Sequence, residues 1–383
     1  MEPKRTVKTL RVLHIMSSYG GGISTFIQNI ASEVHAFNIQ FDVVTYSEVP
    51  DSFRQQIQHT GGDVYQLKNP KKEGWRSFKH SYTRVLELYP YDVIHCHIAG
   101  YRAGVYKLLA RPYGVKRFYI HAHHILDDSD RRMSKQISVH INQQINRYLS
   151  DGYLGCSTLA IKSLFGYSIP SQQMMRIPNS IDPTDFLYDP DDYRSLRLEG
   201  RRNLGAQQDD LLFGQIGRLD PIKNHRLTLD IAQYMKEHHL PGRFLIVGQG
   251  ELMHELQAEV QQRGLDQQVS LLGRVSPIAP FFPVIDALIF PSLREGLGTV
   301  AIESQAAGVP VVMSFNLPAE TDLGLDRVKR VKLDQAPAVW YEALVAMSKL
   351  QRIPPQTRLQ AIQGNQYTNK EAARLYNRYL RES

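Results

Sequence analysis

Two glutamates flank a short glycine turn near residue 300. Glu295 and Glu303 are eight residues apart in the run Phe-Pro-Ser-Leu-Arg-Glu-Gly-Leu-Gly-Thr-Val-Ala-Ile-Glu. A strand ending at Pro291 would lead into the turn Gly296–Gly298, whose backbone N–H groups open a helix that carries the second glutamate. At about 1.5 Å of rise per residue, the step between the carboxylates is roughly 12 Å. One carboxylate could bind sugar hydroxyls and the other a ribose, with phosphate on the amides between them; an exposed helix face is the alternative.

Two cations occupy a second turn. Arg218 and Lys223 lie in the run Gly-Arg-Leu-Asp-Pro-Ile-Lys-Asn, between a predicted strand and a predicted helix. This pair suits a diphosphate, because arginine offers a planar fork of donors and lysine a point charge. Surface cations on an ordinary loop are the alternative, and the pattern alone does not choose between them.

A glycine loop near the N-terminus is a third candidate anion site. Gly20, Gly21 and Gly22 follow the first predicted strand and open a helix, where N–H groups and the helix dipole attract an anion. The glycines are consecutive, so the loop is neither the dinucleotide fingerprint nor a Walker loop. A tight packing turn is the alternative.

The elements that must position these residues form two series of alternating strands and helices, the pattern of doubly wound parallel sheets. Such domains bind ligands at the carboxyl ends of their strands, so a cleft between two domains is the expected site. The turn at 176–182 predicts a boundary after Pro178. The predicted strands are residues 11–16, 41–46, 92–95, 117–122 and 153–156 in the first series, and 211–215, 243–247, 269–272, 287–290 and 310–313 in the second.

The composition of the 383 residues excludes several classes of protein. Hydrophobic residues make up 42% and charged residues 22%, which excludes a collagen, a coiled coil or a disordered tail. Only Cys96 and Cys156 occur, which excludes a disulfide framework and favours a reducing cytoplasm. The apolar segment 10–16 is too broken for a signal peptide, and no stretch approaches the roughly 18 apolar residues of a spanning helix.

The net charge of +7 is unevenly distributed. Residues 1–178 hold 22 Lys and Arg against 13 Asp and Glu, whereas residues 179–383 hold 23 against 25. Cations alternate with aromatics over residues 68–84, which suits an anionic membrane surface; a solvated helix face is the alternative. Because no nucleic-acid-binding motif accompanies the charge, nucleic acid is not expected as a partner.

Together these motifs resemble the retaining glycosyltransferases of family 4, which have the GT-B fold, and in particular their exopolysaccharide and capsule branch. The most specific part is the pair Glu295 and Glu303 within Phe-Pro-Ser-x-x-Glu-Gly-x-Gly. The resemblance covers nearly the whole chain. Further motifs agree in order, namely Gly-Arg with Lys-Asn at 217–224, Val-Gly-Gln-Gly-Glu at 247–251, Leu-Gly-Arg-Val at 272–275 and Ile-Pro-Asn at 177–179.

The resemblance implies roles for individual residues. Arg218 and Lys223 would hold the donor diphosphate, and Glu303 would bind the ribose. Glu295 would hold the donor hexose together with the turn that follows it. The other donor-binding positions that it implies are Gly21, Gly22, Gly248, Gly250, Gly296, Leu297 and Gly298. The backbone around Arg274 and Val275 would recognise the nucleotide base of the donor.

The resemblance also implies a histidine after the fourth strand of the first domain, where this chain reads Tyr-Ile-His-Ala-His-His. His121 and His123 share a strand face, so spacing cannot choose between them as the catalytic residue. His123 is favoured because it lies nearer the strand end. A metal site is the competing interpretation, because His95, His97 and His124 join them in a cluster by sequence; ordinary packing is the alternative for His95 and His97.

No metal or other cofactor is expected. In the GT-B resemblance, cationic side chains and helix N-termini neutralise the leaving diphosphate. Acidic triplets at 128–130 and 189–191 match Asp-x-Asp by pattern, and helix starts or turns explain them.

The resemblance implies that the chain transfers a hexose, with retention, from a UDP-sugar to a saccharide or polyprenyl-diphosphate-linked acceptor in cell-surface glycan synthesis. Residues 1–178, with a C-terminal helix at 366–383 that crosses back, would bind the acceptor, and residues 179–365 the donor. The protein would be cytoplasmic, with the inner face of the membrane as a further location. A sugar-nucleotide epimerase, a phosphorylase or a non-catalytic nucleotide-sugar-binding protein of the same architecture are the alternatives.

Overall fold

The computed structural model describes residues 8–126 and 132–382. It divides into two compact units, the first comprising the residues up to Ile181 together with those from Gln366 onward, the second Asp182–Asn365. Each unit is built on one parallel sheet with helices around it. The predicted fold class of two doubly wound domains is confirmed.

Within the described residues, the first unit contains a sheet of seven parallel strands. These strands are β1 (Leu10–Ile15), β2 (Ile39–Thr45), β3 (Val64–Gln66), β4 (Val93–Cys96), β5 (Arg117–Ala122), β6 (Tyr153–Gly155) and β7 (Met174–Arg176). Their order is β3-β2-β1-β4-β5-β6-β7, so the chain reverses direction across the sheet between β1 and β4. Parallel sheets bind ligands beyond the carboxyl ends of their strands at such a reversal. The helices are α1 (Gly22–Ala31), α2 (Asp51–His59), α3 (Pro70–Glu73), α4 (Trp75–Leu88), α5 (Tyr101–Ala110), α6 (Met133–Leu149) and α7 (Thr158–Phe165).

The second unit, all of whose residues are described, has a sheet of six parallel strands. The strands are β8 (Leu212–Ile216), β9 (Arg243–Val247), β10 (Val269–Gly273), β11 (Ala287–Phe290), β12 (Val311–Ser314) and β13 (Val328–Val331). Their order, β10-β9-β8-β11-β12-β13, repeats the central reversal of the first sheet at β8 and β11. The helices are α8 (Pro190–Asn203), α9 (His225–Glu237), α10 (Met253–Arg263), α11 (Thr299–Ala306), α12 (Pro337–Ser348) and α13 (Pro355–Gly364).

The final helix, α14 (Asn369–Glu382), belongs to the first unit. It buries Ala372, Tyr376 and Leu380 in the core that α1 and the first strands form. A short parallel bridge between Ile181 and Thr368 leads the chain back. The crossing helix of the predicted fold is therefore present, and burial of its apolar face holds it.

The basic segment 68–84 agrees with the second of its two interpretations, a solvated helix face. In α4, Phe78 and Tyr82 are fully buried, four residues apart on the side that faces the core. The neighbouring cations Arg76 and Lys79 are exposed, and Trp75 is the one large aromatic of α4 that lies at the surface. The alternation of cations and aromatics is mainly that of an amphipathic helix, so the rings do not form a membrane-facing surface.

One of the two acidic triplets begins a helix, as expected. The Asp189 carboxylate accepts hydrogen bonds from the backbone N–H groups of Asp191 and Asp192, both at 2.9 Å, and so caps α8. The triplet at 128–130 lies outside the described residues.

Candidate active site

The turn after β8 holds the two predicted cations around one carboxylate. Asp220 Oδ1 accepts hydrogen bonds from the backbone N–H groups of Ile222 at 3.0 Å and Lys223 at 3.3 Å. Its other oxygen, Oδ2, accepts a hydrogen bond from Arg218 Nε at 2.7 Å. Asp220 therefore fixes the backbone beneath Lys223 and orients Arg218, most of whose side chain remains in solvent.

Lys223 lies against the first of the two predicted glutamates. Its Nζ is 2.5 Å from Glu295 Oε1, and both side chains are largely buried, with 19% and 15% of their surface exposed. The backbones of the two loops are also joined, because Leu293 N–H donates to the Ile222 carbonyl at 2.8 Å. The structure thus brings the cation turn and the glutamate turn together at the carboxyl ends of neighbouring strands β8 and β11.

The turn Gly296–Gly298 is buried and leads directly into α11. Gly298 has φ of 87°, in the left-handed region that glycine adopts most readily, and it is the first residue before the helix. Thr321 Oγ1 donates to the Leu297 carbonyl at 2.5 Å, and Gln305 Nε2 donates to the Thr321 carbonyl at 2.8 Å. This bracing holds the helix N-terminus, whose dipole favours an anion, beside Glu295.

Glu303, the second glutamate, lies one turn further along α11 and is half-buried. Burial, together with the nearby Asp185 carboxylate, raises the pKa of its carboxyl to about 7. Near neutral pH this group therefore changes between an acid that donates a hydrogen bond and a carboxylate that accepts two.

The predicted glycines after β9 support the cation turn. A Cβ at Gly248 would lie 1.8 Å from the Gly217 carbonyl oxygen, and a Cβ at Gly250 would lie 2.2 Å from the Leu219 carbonyl oxygen. Hydrogen bonds of 3.0 Å from Gly217 N–H to the Val247 carbonyl and from Leu219 N–H to the Gln249 carbonyl join the same loops. The close approach of the two backbones explains why both positions are glycine. Contact of these glycines with the sugar donor stays a prediction.

Arg274 and Val275 lie in the loop that follows β10. Arg274 is exposed and Val275 is half-buried. Gly248 N–H donates to the Gly273 carbonyl at 2.8 Å, so this loop adjoins the glycine loop after β9. Base recognition at Arg274 and Val275 stays a prediction.

The N-terminal glycine loop leaves open space beside its backbone. Gly20 and Gly21 have φ values of 107° and 76°, and a Cβ at either would meet no atom within 4 Å. Gly22 begins α1, and its Cβ would lie 3.4 Å from Asn179 Nδ2. Backbone conformation rather than close packing therefore accounts for Gly20 and Gly21, and the open side suits an anion at the start of α1.

His121 and His123 lie side by side at the end of β5, as the strand alternation predicts. Their rings stack with centroids 4.2 Å apart, and both are buried. His121 Nδ1 is 3.0 Å from His95 Nε2, and His123 Nε2 is 2.7 Å from His97 Nδ1. His95 and His97 thus pack in the core, as one alternative held, and each also makes a hydrogen bond to one of the candidate catalytic histidines.

Two members of this cluster were not predicted from sequence. His14 Nδ1, from β1, is 3.0 Å from His97 Nε2. The Tyr376 hydroxyl, from α14, is 2.8 Å from His95 Nδ1 and 3.4 Å from His14 Nε2. His14 could have been found from strand pairing, because it lies in β1 directly opposite His95 of β4. Tyr376 lies 281 residues after His95 in the chain, and no sequence pattern links the two.

All five imidazoles are neutral near pH 7. Burial lowers the pKa of each histidine, and the neighbouring imidazoles of the cluster lower the pKa values of His14, His95, His97 and His121 further. The pKa of His123 falls to about 3. A neutral imidazole has one N–H donor and one lone pair, so each ring can take part in two hydrogen bonds.

The distances in the cluster fit hydrogen bonds better than metal ligation. Among the described residues, the histidine groups that could hold an ion are His14, His95, His97 and His97, His121, His123. Two nitrogens bound to one tetrahedral zinc at about 2.0 Å lie roughly 3.3 Å apart. The shortest nitrogen pair here, at 2.7 Å, is closer than that, and no carboxylate belongs to either group to offset the charge of a buried cation.

Two family models match the chain, one for each unit. The glycosyl transferase 4-like domain matches residues 21–180, and the glycosyl transferases group 1 model matches residues 197–320. EpsF of Bacillus subtilis strain 168, a protein named as a glycosyltransferase, is 27% identical over 87% of this chain and 86% of its own length. The Escherichia coli UDP-Gal:alpha-D-GlcNAc-diphosphoundecaprenol alpha-1,3-galactosyltransferase is 27% identical over 60% of this chain and 59% of that protein.

Solved structures share the fold across nearly the whole chain. A glycosyltransferase from Rickettsia africae matches with a TM-score of 0.72 and 14% identity over 98% of both chains. Anabaena Alr3699/HepE, solved in complex with UDP and glucose, matches with a TM-score of 0.66 and 17% identity over 97% of this chain and 95% of that one. The chain is a glycosyltransferase of the GT-B fold and belongs to family 4.

Proposed function

We propose that this glycosyltransferase moves a hexose, with retention, from a UDP-sugar to a saccharide or polyprenyl-diphosphate-linked acceptor in exopolysaccharide synthesis. The names of its relatives support the donor and the acceptor: one uses UDP-Gal on a diphosphoundecaprenol-linked sugar, and one fold neighbour was solved with UDP. Helix N-termini and cations in the second unit can bind the diphosphate without a metal ion, so none is proposed as a cofactor.

The observation that carries the proposal is the largely buried pair of Lys223 and Glu295 beside the N-terminus of α11. A departing nucleoside diphosphate gains negative charge, and preorganised cations and amides stabilise that charge. Lys223, Arg218 and the amides that open α11 would hold the diphosphate. Glu295, next to Lys223, would then accept hydrogen bonds from hexose hydroxyls, and Glu303 from the ribose.

The test is a transfer assay with a panel of UDP-, GDP- and dTDP-hexoses and a short polyprenyl-diphosphate-linked saccharide as acceptor. We expect one UDP-hexose to give a product whose anomeric proton coupling matches that of the donor, and Glu295→Ala to abolish it. Inversion at the anomeric carbon would overturn the retaining mechanism. Transfer from GDP- or dTDP-hexoses alone would overturn the choice of donor, and full activity of Glu295→Ala would overturn the donor site.

A lipid-linked acceptor requires contact with a membrane surface, and we propose α5 and α6 of the first unit as the contact. Among the described residues, no helix is both long and apolar enough to cross a bilayer. Both helices expose large apolar side chains, and neither contains Asp or Glu. The exposed apolar residues are Tyr101, Leu108, Met133, Ile137, Ile141 and Tyr148; the cations are Arg102, Lys107, Lys135 and Arg147. Apolar side chains among cations suit an anionic lipid surface.

A further inference from the structure

Five buried imidazoles and one phenol form a continuous chain of hydrogen bonds in the first unit. The chain runs from His121 through His95 to the Tyr376 hydroxyl, with contacts of 3.0 and 2.8 Å. The remaining links, of 3.4, 3.0 and 2.7 Å, lead through His14 and His97 to His123. Each inner imidazole uses both of its ring nitrogens, so no ring can change its tautomer without its neighbours.

Counting protons leaves two fully bonded arrangements of this chain. Each neutral imidazole and the phenol contribute one hydrogen. If His121 donates through Nδ1, every following group must donate in the same direction, and all five histidines carry their proton on Nδ1. If His123 donates through Nε2, the direction reverses and all five carry it on Nε2. A third arrangement, in which the phenol oxygen accepts from both sides, leaves the phenol hydrogen without an acceptor in the chain.

The two ends of the chain lie next to each other. His121 Nε2 and His123 Nδ1 are both buried and have no hydrogen-bond partner among the described residues, although buried polar atoms are normally bonded. Their rings stack 4.2 Å apart at the carboxyl end of β5, where parallel sheets bind ligands. In either arrangement, one end offers a lone pair and the other an N–H. A hydroxyl group, which both donates and accepts, is the ligand group that satisfies this pair.

We propose that His95, His97, His14 and Tyr376 form a relay that couples the tautomers of His121 and His123, so that one of these two histidines accepts and the other donates a hydrogen bond to a sugar hydroxyl held between them. The inference rests on the proposed hexosyl transfer. His121 and His123 would touch the substrate, whereas the other four groups act through them and are positioning residues.

The relay couples its two ends without a change of charge. All six groups stay neutral, and the tautomer of one histidine can change only if every proton in the chain moves one link. When His121 Nε2 holds the lone pair, His123 Nδ1 carries the N–H, and the reverse arrangement exchanges these roles. A hydroxyl that donates to one end and accepts from the other can therefore be bound in either arrangement.

The experiment reads the tautomers directly, with long-range ¹H–¹⁵N NMR correlations of the ¹⁵N-histidine-labelled full chain at pH 7. We expect the five histidines to share one tautomer, or to show one common ratio of the Nδ1–H and Nε2–H forms. A mixed set of tautomers, charged imidazolium signals, or a stoichiometric metal ion in the purified protein would overturn the relay. Because the measurement needs neither donor nor acceptor, its outcome is separate from that of the transfer assay.

Tyr376→Phe cuts the relay at its centre without touching the substrate. We expect the tautomer ratio of His95 and His121 to separate from that of His14, His97 and His123, and kcat for transfer to fall about tenfold with an unchanged Kd for UDP. The matched control is Tyr379→Phe, a buried tyrosine of the same helix whose ring contacts Tyr119; it should leave both readouts at wild-type values. An unchanged kcat in Tyr376→Phe, or equal losses in both variants, would overturn the relay.

Discussion

At the scale of single residues, the donor site depends on how charges are paired. Lys223 and Glu295 form a largely buried ion pair, and removing one partner of such a pair is more disruptive than removing both. Asp220 fixes the backbone on the other side of Lys223. A diphosphate therefore meets a cation whose position is already set, which is the condition for effective electrostatic stabilisation.

Lys223→Ala should weaken the binding of UDP by about 10- to 100-fold, the range expected for a lost charged hydrogen bond. The variant removes the cation and also leaves the Glu295 carboxylate beside the diphosphate. Isothermal titration calorimetry measures the change. Arg226→Ala, which removes an exposed cation paired with Glu255, is the matched control and should bind UDP like the wild type. Equal affinities of wild type and Lys223→Ala would contradict the assignment.

Glu303 should make donor binding depend on pH. Because burial and Asp185 raise the pKa of Glu303 to about 7, the carboxylate that accepts ribose hydroxyls predominates above pH 7 and is lost below it. A UDP-hexose, whose diphosphate does not titrate in this range, should therefore bind about tenfold more weakly at pH 6 than at pH 8. Glu303→Gln should bind weakly at both values with no such slope. A wild-type affinity that is flat across this range would show that the ionised carboxyl is not needed.

At the scale of elements, long central strands were predictable and short edge strands were not. All ten strands predicted from sequence are present within two residues at each end, because buried parallel strands are continuous apolar runs. β3 and β13 are short strands at the edges of the two sheets and lack such runs. The motif turns at 217–224 and 295–303 were found by residue type and spacing. The histidine relay could not be found in this way, because Tyr376 joins it only through tertiary packing.

Gly250→Ala tests whether the loop after β9 supports the cation turn through close packing. The new Cβ would lie 2.2 Å from the Leu219 carbonyl oxygen, so one of the two loops must move. We expect the free energy of unfolding to fall by about 2 kcal/mol or more, and UDP binding to weaken as the cation turn shifts. Gly364→Ala, where a Cβ meets no atom within 4 Å, is the control and should unfold like the wild type in the same denaturant titration. Wild-type stability of Gly250→Ala would contradict this explanation.

At the scale of the whole molecule, charge and exposed apolar surface concentrate in the first half of the chain. Residues 1–178 carry 22 cations against 13 acids. The sequence analysis found the charge asymmetry, and it gave residues 68–84 as a candidate membrane contact with a solvated helix face as the alternative. The rings Phe78 and Tyr82 of this segment are buried. Which apolar residues face outward depends on how α4, α5 and α6 pack on the sheet, and composition does not contain that information.

The protein should sediment with vesicles that contain phosphatidylglycerol at low salt, and less so at high salt because surface charges are screened. Ile137→Ser with Ile141→Ser should reduce the bound fraction, since both side chains are about half exposed on α6. The control is Val339→Ser with Leu350→Ser, which alters exposed apolar residues of the second unit. Equal sedimentation of the two double variants, or none by the wild type at low salt, would rule out α6 as the contact.

The most direct measurement of the central claim is a crystal structure of the protein with a bound UDP-hexose. We expect the diphosphate within hydrogen-bond distance of Lys223 Nζ and at the N-terminus of α11, with Glu295 on a hexose hydroxyl and Glu303 on the ribose. A UDP-hexose bound at another place, with the Lys223 and Glu295 pair untouched, would contradict the claim that this pair forms the donor site.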